Sequence, residues 1–497
     1  MRTFNPHGWK NIETRRDFIK RSASAGAGFA LSRAWARSGI AATPDLDPAV
    51  VKKFGATLNG QLILPGDPSY DKVRHIAYWN SKTAKHPAVI ARCANAEDVR
   101  RSVEFAHQHD LLVAVRSGGH STLGWGLCEG GLVIDVSQMK QIKIDPVKLT
   151  AQAEPGLMVR EISASIGKYG LAPALGACDT VGISGLTLGG GLVDLSGRYG
   201  ASCDNLLSAE VVTTDAKTVS ASATENADLF WAIRGGGGNF GVATSLEYRL
   251  HRVPELLHGR ITYRFSDARN ALRSFRDFMA GAPDELEADV ILSGLRDRSV
   301  ILNVSYSGDL AKGEKVIRPL RTIAKPMSDR VHRSAYAEIT PEDDNEPPGF
   351  AFGKYCYIER LSDAAMEAIL AQFANQSDVS CGMGLYHYMH GAICRVASDA
   401  TAFELRAPGA LHIAIASSWH DSKLADASIA WVNSAWESLN AFSGGRIYAN
   451  YLSVEGEGED AVKAAYGKNY PKLVDIKSKY DPTNFFKLNP NIRPRPS

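Results

Sequence analysis

The sequence predicts an α+β protein, on three observations. Short apolar strands alternate with amphipathic helices through the first half, three glycine-rich stretches interrupt them, and the middle of the chain carries longer strands with helices among them. Two small lobes with a ligand between them, followed by an antiparallel sheet backed by helices, satisfy all three.

Composition agrees. A chain of 497 residues with 44% hydrophobic side chains is long enough for two or three domains. Its 56 basic and 54 acidic residues leave a formal charge of +2, which gives no reason to invoke nucleic acid. Seven cysteines include no C-x-x-C pair, which argues against a zinc site or a disulfide framework.

Taken in order, residues 1–38 read as an address and not as fold. TRRDFIK at 14–20 is a twin-arginine export motif, 22–32 is short and weakly apolar, and Ala34-Trp35-Ala36 has the small-x-small form of a cleavage site. The stretch is too short and too polar to span a membrane. A basic disordered tail is the alternative. The expectation is a bacterial periplasmic or secreted protein cut near Ala36, without a stable membrane anchor, that meets the export machinery only in passing.

A lead-in at 45–81 precedes a strand at 88–92 and a helix at 96–109, with Val99, Val103 and Ala106 on one face and Asn95 as its cap. A strand at 111–115 enters the first glycine-rich stretch, RSGGH. Gly118 and Gly119 let main-chain N–H groups approach an anion closely, Arg116 and Ser117 add donors, and His120 stands at the tip. A surface turn with a stray histidine is the competing reading. Strands at 132–136 and 150–153 follow, then a helix at 158–169 with Val159, Ile162 and Ile166 on one face and Gly170 ending it.

The second glycine-rich stretch, GACDTVGISGLTLGGG at 176–191, contains Cys178, and a lone cysteine of this kind is more often a buried small hydrophobe. A hairpin turning near Asp215 and Ala216 comes next. In the third stretch, DLFWAIRGGGGNFGV at 228–242, Gly236, Gly238 and Gly241 match G-x-G-x-x-G. The following VATSLEYRL alternates like a strand, so a Rossmann fingerprint is rejected.

Strands are expected in VILSGL, VILNVSYSG and LHIAIASSW, and helices at 268–280, 364–374 and 425–441. His387 and His390 lack a third ligand nearby, so no metal is expected and both read as structural. The chain ends with Tyr448 and Tyr451 three apart and a helix stopped by Asp481-Pro482. The organisation expected is a signal peptide at 1–36, a ligand-binding domain at 45–254, a second domain at 255–440 and a return to the first at 441–497.

Together RSGGH, GACDTVGISG, DLFWAIRGGGGNFGV, YANY and KYDPTNFF resemble the berberine bridge enzyme-like branch of the vanillyl-alcohol oxidase (p-cresol methylhydroxylase) superfamily of flavoproteins, over residues 87–494. The resemblance implies a two-lobed FAD-binding domain plus a substrate domain, with FAD bound covalently through His120 and Cys178. A neutral imidazole and a thiolate are the side chains suited to that bond. An odd cysteine count fits one spent on flavin. The resemblance also implies cofactor contacts from Arg116, Ser117, Gly118, Gly119 and Ser121, from Val181, Gly182, Gly185, Gly189 and Gly190, from Asp204 and Asn205, from Asn239 and Val242, and from Asn450 and Asn484. Cys203 is expected to be structural.

The activity so implied is oxidation at an alcohol carbon, with Tyr451 or Tyr448 as a tyrosinate base. A tyrosine ionises near pH ~10 when free, so a lysine, an arginine or a second tyrosine must lower that value. Val181, three after the flavin cysteine, implies access for oxygen and release of hydrogen peroxide. A carbohydrate or glycoside is the substrate expected, with Tyr386, Tyr388 and Trp419 as stacking surfaces. An aromatic alcohol or alkaloid-like metabolite is the alternative. Two positions depart from the family's pattern, Leu405 for a histidine and Ser453 for an aspartate, and they sustain a third reading, a flavin-bearing binding protein without efficient turnover.

Overall fold

Local periodicity becomes three sheets. The computed structural model describes residues 46–77, 84–176, 178–294, 298–338, 350–374, 380–452 and 458–496; the export-like segment at 1–36 and Ser453 lie outside them. Among the described residues no helix is long and apolar enough to cross a membrane.

Strands β1 (Gln61–Ile63), β2 (Val89–Arg92), β3 (Val113–Arg116) and β4 (Leu132–Asp135) form the first sheet, in the order β1-β2-β4-β3, with β2 and β3 both parallel to β4. Helix α1 (Ala96–Gln108) makes the crossover from β2 to β3 and buries Val99, Val103 and Ala106. Its N-cap is the expected one, since the Asn95 side chain accepts from Asp98 N at 3.0 Å.

The second sheet is antiparallel. It contains β5 (Ile142–Asp145), β6 (Thr150–Ala153), β7 (Leu171–Pro173), β8 (Leu206–Val212), β9 (Thr218–Ser222) and β10 (Val242–Arg252), in the order β5-β6-β10-β8-β9, with β7 also on β10. Helix α2 (Val159–Gly167) packs Val159, Ile162 and Ile166 against it, and Gly170 at φ +66° turns the chain away, a conformation open to glycine at no steric cost. From the third of the four glycines the chain makes one short helical turn, Gly237–Asn239, and enters β10. A strand stands where a dinucleotide fingerprint requires a helix, as the sequence predicts.

The third sheet has eight strands: β11 (Glu255–Arg264), β12 (Leu286–Ser293), β13 (Ser299–Tyr306), β14 (Ser328–Asp329), β15 (His332–Ala335), β16 (Phe350–Ile358), β17 (Ser380–Tyr386) and β18 (Leu411–Trp419). Their order is β14-β11-β13-β12-β17-β18-β16, with β15 also on β11. Helices α3 (Ala268–Met279), α4 (Leu310–Arg321), α5 (Asp363–Ala371) and α6 (Ala425–Asn440) supply the apolar cover. Leu286, Ala288, Val290 and Leu292 of β12 are buried in one cluster with Leu272, Phe275, Ile317, Ile369 and Val432. Because strand side chains alternate, the same strand sends Glu287, Asp289 and Ile291 to the opposite face. That face looks into the cavity described below.

Helix α7 (Tyr470–Tyr480) brings the chain back to the second sheet, where Leu473 and Ile476 join Phe230 and Trp231 in one core. One face carries a fully buried ion pair. Lys477 Nζ donates to Asp481 Oδ2 at 2.7 Å, to Asn239 O at 2.8 Å and to Phe486 O at 3.0 Å, and Asp481 in turn accepts from the N–H groups of Phe485 and Phe486. Asn239 completes the tie, donating to Gly236 O and Pro490 O and accepting from Ile492 N. The end of the chain is thus bonded to the third glycine-rich turn. Replacing Lys477 by Met leaves Asp481 charged, buried and without its cation, and is expected to cost ~3–5 kcal/mol in denaturant unfolding. Lys477→Met/Asp481→Asn is expected to recover part of that loss, because no unpaired charge remains.

Candidate active site

Strands β3 and β4 run side by side to Arg116 and Asp135, and the chain leaves β3 into Ser117, Gly118 and Gly119. There it meets the second glycine-rich stretch. A Cβ on Gly118 would overlap the main chain of Gly182, and one on Gly182 would overlap Ser117 and Gly118. This backbone-to-backbone contact brings His120 and Cys178 to one point. His120 Nε2 lies 2.9 Å and Cys178 Sγ 3.4 Å from the same hydroxyl, Thr180 Oγ1. Burial holds the His120 imidazole below its ordinary pKa, against the pull of Asp179, so it is neutral at physiological pH. Cys178 is the exposed cysteine; the other six are buried or partly so.

These residues line a cavity of about 820 Å³. One side is the glycine cradle, with Gly185 and Gly238 open to it: a Cβ built on either meets nothing within 4 Å. The other is the polar face of the third sheet, His258 and Arg260 from β11, Glu287 and Asp289 from β12, and Asn303 and Ser305 from β13. Tyr355, Tyr386, His387, Tyr448, Asn450 and Tyr451 close one end.

The two tyrosines differ sharply. Tyr448 is 2% exposed, and its hydroxyl accepts from Gly191 N and from Asn450 Nδ2, each at 2.9 Å. Burial nevertheless pushes its phenol well above the ordinary value, the reverse of what the sequence reading requires of a base. Tyr451 stands in the cavity wall with its ring stacked on Tyr355 at 4.2 Å and edge-on to Tyr448 at 4.9 Å. Its hydroxyl is 3.4 Å from His387 Nε2.

The cavity's carboxyls are displaced upward. Burial, then the nearby Glu287, raises Asp194 to about 7; burial also raises Glu287, against His390, and lifts Asp289 well above the usual range, with Asp194 adding to it.

Comparison with known proteins bears on what occupies this cavity. Residues 87–222 match the FAD binding domain family and residues 447–493 the family described as berberine and berberine like. The chain is 34% identical over 288 residues to (R)-6-hydroxynicotine oxidase of Paenarthrobacter nicotinovorans, covering 57% of this chain and 62% of that protein. It is 27% identical to chitooligosaccharide oxidase of Gibberella zeae, over 84% of this chain and 89% of that protein. The crystal structure of 6-hydroxy-D-nicotine oxidase from Arthrobacter nicotinovorans superposes with a TM-score of 0.79 at 27% identity, covering 88% of this chain and 99% of that one. The chain is an FAD-dependent oxidoreductase similar to berberine-like proteins.

The oxidoreductase carries the groups FAD calls for. The N–H groups of Gly118 and Gly119 have no partner among the described residues, and Arg116, which donates to Val73 O, keeps its Nε buried and unpaired. These donors suit a diphosphate, and the open backbone at Gly185 and Gly238 leaves room for a flat ring. Of the expected cofactor residues, Arg116, Ser117, Gly118, Gly119, His120, Ser121, Cys178, Val181, Gly182, Gly185, Val242 and Asn450 line the cavity.

Six expected cofactor residues lie outside that lining, for reasons the structure supplies. A Cβ on Gly189 would overlap the Asn450 side chain, and one on Gly190 would press on the Phe403 ring, so these glycines serve close packing. Asp204 forms a bidentate ion pair with Arg406 at 2.7 and 2.8 Å, buried on both sides, and Asn205 Oδ1 accepts from His251 Nε2 at 2.7 Å while its Nδ2 donates to Tyr199 O and Ala201 O. Asn239 belongs to the Lys477 tie, and Asn484 turns the chain at φ +54° after Asp481. Among the expected stacking aromatics, Tyr386 lines the cavity while Tyr388 and Trp419 do not. Leu405 packs beside Phe403 and Tyr448, and Cys203 is buried in the same cluster.

The sequence reading misses Thr180, the polar face of the third sheet, and the position of His387. Thr180 was signalled only by its spacing from Cys178, and His387, read as structural, stands in the cavity wall just after strand β17. No group of three or more potential metal ligands is found among the described residues. Gly182→Ala is expected to part the two glycine segments and lower FAD content of the purified protein by about tenfold, ~1.4 kcal/mol of binding. Visible absorbance per mole of folded protein measures it.

Proposed function

We propose that this oxidoreductase oxidises an alcohol carbon of a polyhydroxylated substrate, a carbohydrate or glycoside, and passes the electrons to oxygen with release of hydrogen peroxide. The observation that carries the reading is the polar face of the third sheet, which opens on the same cavity as Tyr451 and the glycine cradle. Carboxyls with raised pKa values keep a proton near neutral pH and offer both a donor and an acceptor, which matches sugar hydroxyls. Tyr355 and Tyr386 add flat apolar surface beside them. Kinship with a chitooligosaccharide oxidase supports the same reading.

FAD, when bound, supplies the acceptor for two electrons. The chain's own part is to anchor it and to handle the proton. We assign covalent anchoring to His120 and Cys178, which converge on Thr180. We assign removal of the substrate hydroxyl proton to Tyr451, whose hydroxyl stands in the cavity wall, and not to buried Tyr448. Val181, at the wall beside Gly182, would admit oxygen. The export motif at 14–20 adds a location to the proposal, with the folded protein sent across the bacterial inner membrane.

A second reading rests on the same carboxyls: a cationic, alkaloid-like substrate beside Asp194, Glu287 and Asp289 would draw them into their charged form and pair with them. Anaerobic bleaching of the flavin against oligosaccharides, glycosides, aromatic alcohols and cyclic amines separates the two. Bleaching by a carbohydrate, with peroxide formed on admission of air, is the expected result; bleaching by amines alone would replace the first reading with the second. Val181→Ile is expected to slow reoxidation by oxygen at least ~10-fold without slowing bleaching, as stopped-flow absorbance would show. After acid denaturation, flavin is expected to stay with the wild-type chain and with each of His120→Ala and Cys178→Ala, and to leave the double variant.

A further inference from the structure

We propose that His387 is the proton acceptor behind Tyr451, so that the base in this oxidoreductase is a tyrosine–histidine pair and not a free tyrosinate. The proposal rests on the assignment of Tyr451 as the group that meets the substrate hydroxyl.

The pair is built from independent constraints. His387 follows the last residue of β17 and adopts φ +56°, a left-handed conformation uncommon for residues other than glycine. Its own N–H is held by Asp289 Oδ1 at 3.0 Å, which fixes the backbone from the neighbouring strand β12. The resulting direction of the side chain puts Nε2 3.4 Å from Tyr451 Oη. Tyr451 is held from its other sides by the stacked Tyr355 ring and the perpendicular Tyr448 ring. A strained residue whose geometry delivers one nitrogen to one hydroxyl marks a functional contact.

The surroundings decide which partner carries the proton. The groups facing His387 are Tyr451, Tyr386 with its ring at 6.1 Å, His412 at 6.5 Å, and Asp289 at its main chain. Burial pushes His387 down to about 4, and burial together with His387 holds His412 well below its ordinary value. Both imidazoles are therefore neutral at pH 7. In its Nδ1-protonated tautomer neutral His387 accepts at Nε2, so Tyr451 is the donor of their hydrogen bond and its oxygen is the atom that meets a substrate O–H. In the step, the substrate oxygen gives its proton to Tyr451 Oη while Tyr451 gives its own proton to His387 Nε2. Tyrosine is unchanged overall and His387 gains one proton; the C–H hydrogen with its electron pair would go to FAD, the two-electron acceptor the cavity would hold. Loss of that pair makes the hydroxyl strongly acidic, which suits an acceptor of low basicity. No tyrosinate has to form beforehand.

The test is the pH profile of kcat for the flavin-loaded wild type, His387→Asn and Tyr451→Phe, with the best substrate from the bleaching panel. Asparagine tolerates the left-handed backbone and is too short to reach Tyr451 Oη. The wild type is expected to be active to low pH, failing only as pH falls toward about 4, where His387 becomes protonated. His387→Asn is expected to lose about 100-fold at pH 7 and to regain rate about tenfold per pH unit up to pH ~9, because Tyr451 must then ionise by itself. Asp194 titrates near 7 on the same wall, but it is common to both proteins and cancels in the ratio of their rates. A His387→Asn profile parallel to that of the wild type would overturn the relay while leaving Tyr451 as the base. Full activity in Tyr451→Phe would overturn the assignment of the base and the relay with it. If His387→Asn fails to bind flavin, the wild type decides alone: a rate that already rises about tenfold per pH unit from 7 to 9 would show a free tyrosinate and end the proposal.

Discussion

The contact between the main chains of Gly118 and Gly182 is the constraint on which the site depends. Neither position accepts a Cβ, so two turns that are 64 residues apart in the chain share one van der Waals surface. Everything said of the flavin end follows from it. His120 and Cys178 reach one threonine hydroxyl only because their turns touch, and Gly118 and Gly119, whose N–H groups have no partner among the described residues, line the cavity from the first of those turns. Side chains are excluded at the closest approach, and reactive ones stand at its margins.

The substrate end obeys a different rule. There the strand alternation of the third sheet divides its residues into a dry face beneath helices and a polar face over the cavity. Glu287 and Asp289 are tolerated in that position because they are neighbours of His390 and of the His387 main chain, and because a raised pKa lets them discard charge that burial would penalise. A wall of this kind can change its polar groups by substitution on one face while the packing of the other face stays intact.

How much of this was legible in the sequence depended on distance along the chain. Asn95 as a cap, Gly170 as a stop, the strand after the four glycines and three of the four helices that cover the third sheet are decided within a few residues and were legible, while the helix Leu310–Arg321 was not expected. His120 and Cys178 could be named because the motifs around them are short. Asp204 could not be placed, since its partner Arg406 is 202 residues away, and Gly189 and Gly190 looked like cofactor glycines although Asn450 and Phe403 occupy the space beside them. The place of His387 on the cavity wall was hidden for the same reason: the hydroxyl beside it belongs to a tyrosine 64 residues later. Local rules write the elements, and long-range pairing assigns their work.

The buried Lys477 ammonium has a consequence for the order of events during synthesis. The turn at Gly236–Asn239 emerges from the ribosome some 240 residues before the helix that locks it, so the nascent chain carries an unlocked turn for nearly half of its translation. Flavin capture is thereby a late event, governed by the arrival of residues 477–492 and not by the folding of the lobes that hold most of the contacts.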